Sequence, residues 1–152
     1  MSGFDAQVHA RYEHLHLYHQ EQTPRVREAF NRYHGQLCIS TVTLMELIYG
    51  AEKSASPEKN LAVVEGFAAR LDVLDYNHEA AAHSGQLRAE LAKMGNPIGP
   101  YYNQMIAGHA RSQGLILVTN NLREFDRVAG LRVETPFPHL ILLPRAEPLA
   151  SM

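Results

Sequence analysis

Four oxygen-bearing side chains stand where an α/β protein presents a site: Glu46, Asn103, Asn121 and Glu124. Glu46 lies just past the apolar, β-branched run LCIST (37–41), and Asn121 and Glu124 lie just past LILVT (115–119). Sheets of parallel strands bind ligands beyond the strands' carboxyl ends, so these residues can converge there. Asn103 follows the loop NPIGPYY and opens a helix. Each has a plain structural reading as well. Thr43-Leu44-Met45-Glu46 has the S/T-x-x-E form of a capping box, Asn103 suits a helix N-cap, and Asn121 with Glu124 can cap and solvate the next helix. A second set is His9, His14, His16 and His19, of which His14-x-His16 offers two transition-metal ligands along one strand face.

The elements that must position these groups follow from punctuation and periodicity. LCIST, bounded by Gly35, reads as a buried strand. A helix runs through LMELIYGAEK, and Pro57 starts a second one to about Arg70, with Leu61, Val64 and Phe67 on one face. LDVLDY returns as a strand. Asn77 caps a third helix with Leu87 and Leu91 inward, stopped by Gly95 and Pro97. A fourth helix runs from about Asn103 through Arg111, with Gly114 as its stop, into strand LILVT; LRVE (131–134) is an edge strand. Strands alternating with helices of these lengths predict an α/β fold, a parallel sheet covered on both faces.

The 152 residues suit one domain with its own core, at 45% hydrophobic and 20% charged residues. A net charge of -2 argues against a broad basic face for phosphate backbones; Arg25, Arg27, Arg111 and Arg123 remain as local candidates, with solvated surface as their default reading. The lone Cys38 rules out an internal disulfide and suits a reducing cytosol. The apolar runs are too short to span a bilayer, and the first residues have no apolar core of a signal peptide, so a cytoplasmic location is expected. Residues 1–23 form an atypical N-terminal segment without a period of 2 or 3.6. Residues 135–152, with Pro136, Pro138, Pro144 and Pro148, read as an irregular tail around the apolar run LILL.

The blocks ISTVTLMELIYGAEKS, NLAVVEGFAARLDVLDY, GQLRAELAKMGNPIGPY, QMIAGHARSQGLILVTNN and REF, in that order, resemble the VapC-type PIN-domain toxins over about residues 24–134. The resemblance implies a PIN-like parallel sheet flanked by helices. It also implies a Mg²⁺-dependent endoribonuclease of a type II toxin–antitoxin pair, a homodimer held inactive by a VapB-type antitoxin. Carboxylates there hold Mg²⁺ against a scissile phosphate and generate a nucleophilic water. Carried over by position, Glu46 matches the family's second acid, and Asn121 and Glu124 match the polar group of the TNN-x-x-E segment. The metal ligands implied for this chain are Glu46, Asn103 and Glu124.

Two departures stand out. The family's G-P-Y-D-Q motif is here Gly99-Pro100-Tyr101-Tyr102-Asn103-Gln104, one residue longer and with an amide where a ligating aspartate is implied. The family also begins with an apolar strand ending in L-D-T-N, whose Asp is the first ligand, and nothing between Met1 and Pro24 matches it. Asp5 follows Phe4 with no strand before it. Back-translation of Asp5 to Thr23 with permitted codons, read one base later, spells MLKFMLDTNICIYTIKNK, the implied strand, with its Asp at the junction of the Arg11 and Tyr12 codons. Residues 5–22 then read as a shifted-frame translation, and the histidines as slipped isoleucine codons. The gene's nucleotides decide: codons that give no apolar strand ending in Asp sink the idea. Two functions follow: a Mg²⁺-dependent ribonuclease toxin short of two acids, or an inactive PIN scaffold that dimerises or binds an antitoxin through helix faces around Leu44, Leu47, Ile48 and Phe67. A histidine-rich metal binder is a third.

Overall fold

The first two strands hand over to their helices through caps that the local sequence supplies. In the computed structural model, residues 37–99, 101–119 and 122–134 are described, together with the backbone of 141–143. Strand β1 (Cys38–Ser40) is buried along its length and passes without a loop into helix α1 (Thr41–Lys53). Ser40, extended at φ -73 and ψ 150, is the N-cap, its hydroxyl accepting from the Val42 N–H at 3.1 Å. The capping box expected at Thr43 and Glu46 is therefore not the cap. The strand's last residue already supplies the hydroxyl, so the helix starts three residues earlier and both side chains are buried inside it.

Helix α2 (Pro57–Ala68) carries proline in its first turn and buries Val63, Val64 and Phe67. After β2 (Asp72–Leu74), Asn77 caps α3 (His78–Lys93) by accepting from the Ala80 N–H at 3.0 Å. Gly95, at φ +66, supplies the left-handed residue that ends this stretch. Helix α4 (Tyr101–Ser112), strand β3 (Ile116–Val118), the short α5 (Leu122–Phe125), β4 (Arg132–Glu134) and β5 (Ile141–Leu143) complete the order.

The sheet order is β2-β1-β5-β3-β4. β1 pairs parallel with β2 (Ile39 opposite Val73), and β3 pairs parallel with β4 (Leu117 opposite Val133), which makes LRVE the expected edge strand. The fully parallel sheet is corrected at its centre. There β5 runs antiparallel to both neighbours, with Leu142 opposite Cys38 on one side and Leu117 on the other. Its residues belong to the LILL run read above as part of an irregular tail. β1 and β3 are buried strands, whose inward-facing backbone groups require a partner, and β5 provides one. Residues 1–36, and with them Asp5, the histidines and the shifted-frame reading, lie outside the described residues.

Alternation along the strands divides the core in two. Ile39, Ile116 and Val118 face a layer with Leu47, Val64 and Phe67 from α1 and α2. Cys38 and Leu117 face a layer with Leu87 and Leu91 of α3, Ile106 of α4 and Phe125. The second layer has an unusually close helix crossing. A Cβ on Gly108 would stand 2.6 Å from backbone atoms of Ser84, so only glycine lets α4 sit on α3 at this point.

Candidate functional site

The site is framed by a buried polar joint between β1 and α4. His109 is fully buried, and its Nδ1 lies 2.8 Å from the Ser40 hydroxyl. On its other side the Gln113 amide stands 3.3 Å from Nε2, and the Tyr76 ring meets the imidazole edge-on at 5.6 Å between centroids. Tyr76 ties in two further elements. Its N–H donates to the Thr41 hydroxyl and its phenol donates to Ser84 on α3. Burial holds His109 below the usual histidine range, with Asp75 pulling weakly the other way. A neutral imidazole is what this joint requires: one nitrogen accepts and the other donates.

The candidate residues hang from this frame. Glu46 comes six residues after Ser40 on α1, Asn103 six residues before His109 on α4, and the two helices are in contact. Both side chains are 1% exposed. Asn103 is the third residue of α4 rather than its cap, because the helix begins at Tyr101; its Nδ2 donates to the Gly99 carbonyl at 3.4 Å. The next residue does the same more tightly, Gln104 Nε2 donating to the Ile98 carbonyl at 2.5 Å. The first turn of α4 thus holds its own entry loop through two side-chain amides.

Glu124 is placed differently. Its carboxylate forms an ion pair with Arg127 at 3.2 Å, both side chains about one-fifth exposed. Arg127 also donates to the carbonyls of Glu124 and Pro97 and to the Asn96 side chain, so it clasps α5 to the loop before α4. Asn121 lies outside the described residues, as do Arg25 and Arg27. Arg111 is committed to structure. It donates to the His83 ring and carbonyl, to Gln86 and to the Ala129 carbonyl, and lies 3.6 Å from Glu90. Arg123 is exposed on α5.

Mg²⁺ takes six oxygen ligands in near-octahedral geometry, typically one or two carboxylates plus waters and phosphate oxygens. Glu46, Asn103 and Glu124 are oxygen donors of the right hardness. Among the described residues, however, no three His, Cys, Asp or Glu side chains gather into a group that could hold a metal ion. One carboxylate is buried, one is in an ion pair, and the third donor is a neutral amide. These residues do not make a complete Mg²⁺ cage. An apolar pocket of about 380 Å³ between the end of α3 and residues 127–129, lined by Leu87, Leu91, Met94 and Val128, contains none of the candidates.

The helix faces proposed for partners resolve into core and surface. Leu47 and Phe67 are buried and Leu44 packs against the same layer, whereas Met45 (53% exposed), Ile48 and Tyr49 project from α1. Among the described residues no helix is long and apolar enough to cross a membrane. Sequence reasoning missed two framing groups: His109 and Arg127. A signal existed for the first, since His109 sits among Ile106, Ala107, Gly108 and Ala110, where a charged imidazole would be costly.

Comparison with known proteins places this geometry. The family model for the PIN domain matches residues 14–131. A tRNA(fMet)-specific endonuclease VapC of Shigella flexneri is 70% identical over 109 residues, 72% of this chain and 82% of that protein. Ribonuclease VapC2 of Haemophilus influenzae is 57% identical over 106 residues, covering 69% and 79% of the two chains. Among solved structures, the DNA-bound VapBC of Salmonella typhimurium superposes with a TM-score of 0.74 at 62% identity, over 77% of this chain and 88% of that one. VapBC-1 of nontypeable H. influenzae gives 0.71 at 30% identity, over 80% and 90%.

Proposed function

The chain belongs to the VapC-type PIN-domain family, and from that premise we propose that it is an endoribonuclease-type toxin of a type II toxin–antitoxin pair whose metal centre is incomplete. RNA is the substrate class, because relatives at 70% and 57% identity are a tRNA-specific endonuclease and a ribonuclease. A VapB-type antitoxin is the partner, because the structural relatives are VapBC complexes. Mg²⁺ is the cation expected of the fold, with Glu46 its main anchor and Asn103 and Glu124 as weaker donors.

The observation that carries the incompleteness is Asn103: a buried amide, on a helix in contact with the one that carries Glu46, where the resemblance implies aspartate. One unit-charge pair at ~4 Å, at an effective dielectric of ~20, is worth about 4 kcal/mol before desolvation. Losing it weakens the hold on a divalent cation by orders of magnitude. Glu124 does not make up the loss while it is paired with Arg127.

The test is RNA cleavage with and without Mg²⁺ by the full chain, Glu46→Ala and Asn103→Asp. Slow Mg²⁺-dependent cleavage, lost in Glu46→Ala and raised at least tenfold in Asn103→Asp, is the expected pattern. Cleavage that is rapid in the parent chain, or indifferent to Glu46, overturns the reading. A second reading, an inactive scaffold that binds an antitoxin, is favoured by the exposed Met45, Ile48 and Tyr49 on α1. It predicts no cleavage by any of the three proteins, together with co-purification with a relative's VapB.

A further inference from the structure

The doublet Tyr101-Tyr102 opens α4, and its two rings have opposite fates. Tyr102 is 6% exposed and packs in the core with Ile98 and Ile106, while Tyr101 is 64% exposed. The exposed ring is not loose. The Arg88 guanidinium of α3 lies over it, with Cζ 4.2 Å from the ring centroid, a cation–π contact that holds one face and leaves the rest of the ring to solvent. Two residues further along α4, within one turn, is Asn103 of the candidate site.

We propose that Tyr101, backed by Arg88, is a base-stacking platform for an unpaired nucleotide of the RNA substrate, on the exposed side of the first turn of α4. The proposal rests on the reading of this chain as an RNA-acting protein. Sequence-tolerant recognition of single-stranded RNA works by stacking bases on aromatic rings and arginine planes, with nearby cations on the phosphates. Tyr101 and Arg88 present both in one pre-stacked pair. A ring already fixed on one face loses little side-chain freedom when a base covers the other. Arg88 is also better placed for this role than Arg111, whose guanidinium is spent on His83, Gln86 and the Ala129 carbonyl.

The chain contains no tryptophan, so Tyr101→Trp installs a single tryptophan, excited apart from the tyrosines, at the proposed platform. Binding is measured in EDTA, which keeps cleavage off, with a fluorescein-labelled single-stranded oligoadenylate and an abasic oligomer of the same length. The expected results are three. Tyr101→Ala weakens oligoadenylate binding by about 5- to 150-fold, the range for one base–aromatic stack. Tyr101→Phe stays close to the parent. The Tyr101→Trp emission is quenched by oligoadenylate but not by the abasic oligomer. Because the ring is exposed, circular dichroism of all variants should match the parent, and Tyr101→Phe and Tyr101→Trp carry the test if Tyr101→Ala does not fold. RNA binding that is unchanged in Tyr101→Ala, or equal quenching by both oligomers, overturns the platform and leaves the RNA reading standing. Loss of antitoxin binding with RNA binding intact would assign the ring to a protein interface and also overturns it. A parent chain that binds no single-stranded RNA removes the RNA reading and the platform together.

Discussion

Helix α4 takes part in two regions that are built to different standards. Along its seam with α3 and the end of β1, every polar group named has a partner at close range: His109 on Ser40, Tyr76 on Ser84, Arg111 on four acceptors. The donors implied for a metal are spread over three helices: a buried glutamate on α1, a neutral amide turned toward Gly99 in the first turn of α4, and a glutamate on α5 paired with Arg127. The seam needs only this chain to be complete, and it is. On the proposed reading these donors lack a charge at residue 103, where an amide stands. If that reading holds, the frame outlasts the chemistry, because frame and donors draw their stability from different contacts.

The largest test of that contrast is Gly108→Ala. A methyl group 2.6 Å from the Ser84 backbone must force α3 and α4 apart, a loss of about 1–3 kcal/mol or more. Thermal unfolding should show a melting point lower by several degrees, or insoluble protein; an unchanged melting point would mean that the seam is looser than it looks. Next comes His109. Burial lowers its pKa in the folded state, so between that value and the unfolded value near 6.5 the unfolded chain binds more protons. Stability should hold above pH 6.5 and fall as the pH drops below it. His109→Asn, which keeps a polar amide but removes the titrating ring, should flatten that pH dependence in denaturant titrations.

Arg127→Ala sharpens the other side of the comparison. A partly exposed ion pair contributes about 0–1 kcal/mol, so the melting point should move little. If the clasp is what keeps Glu124 from a cation, the same variant should gain Mn²⁺ affinity in a titration; no gain would show that Glu124 is out of reach for another reason. The smallest effect concerns Cys38. Burial, with Asp72 nearby, pushes its thiol up to about 12, so a thiol reagent should label it only as the chain unfolds.

Much of this architecture was legible from local signals. Asn77 as a cap, Pro57 at a helix start, Gly95 and Gly114 at left-handed stops, and the strands at 38–40, 72–74, 116–118 and 132–134 all follow from short-range stereochemistry. The start of α1 was misplaced because two hydroxyl residues, Ser40 and Thr43, competed for one cap, and only the extended backbone at Ser40 settles which one is used. The central antiparallel strand was illegible for a different reason. Its pairing joins residues more than twenty positions apart, and LILL carries no mark of direction.

By itself the sequence determined most of the helices and strands between residues 37 and 134, which family the chain resembles, and that residue 103 is an amide. Those depend on backbone preferences and residue identity, which act over a few positions. Tertiary structure alone decided that His109 braces Ser40, that Arg127 takes up Glu124, that β5 fills the sheet's centre, and that one of two adjacent tyrosines faces solvent beneath an arginine. Each of these is a meeting of groups distant in the chain, set by packing that no local preference encodes.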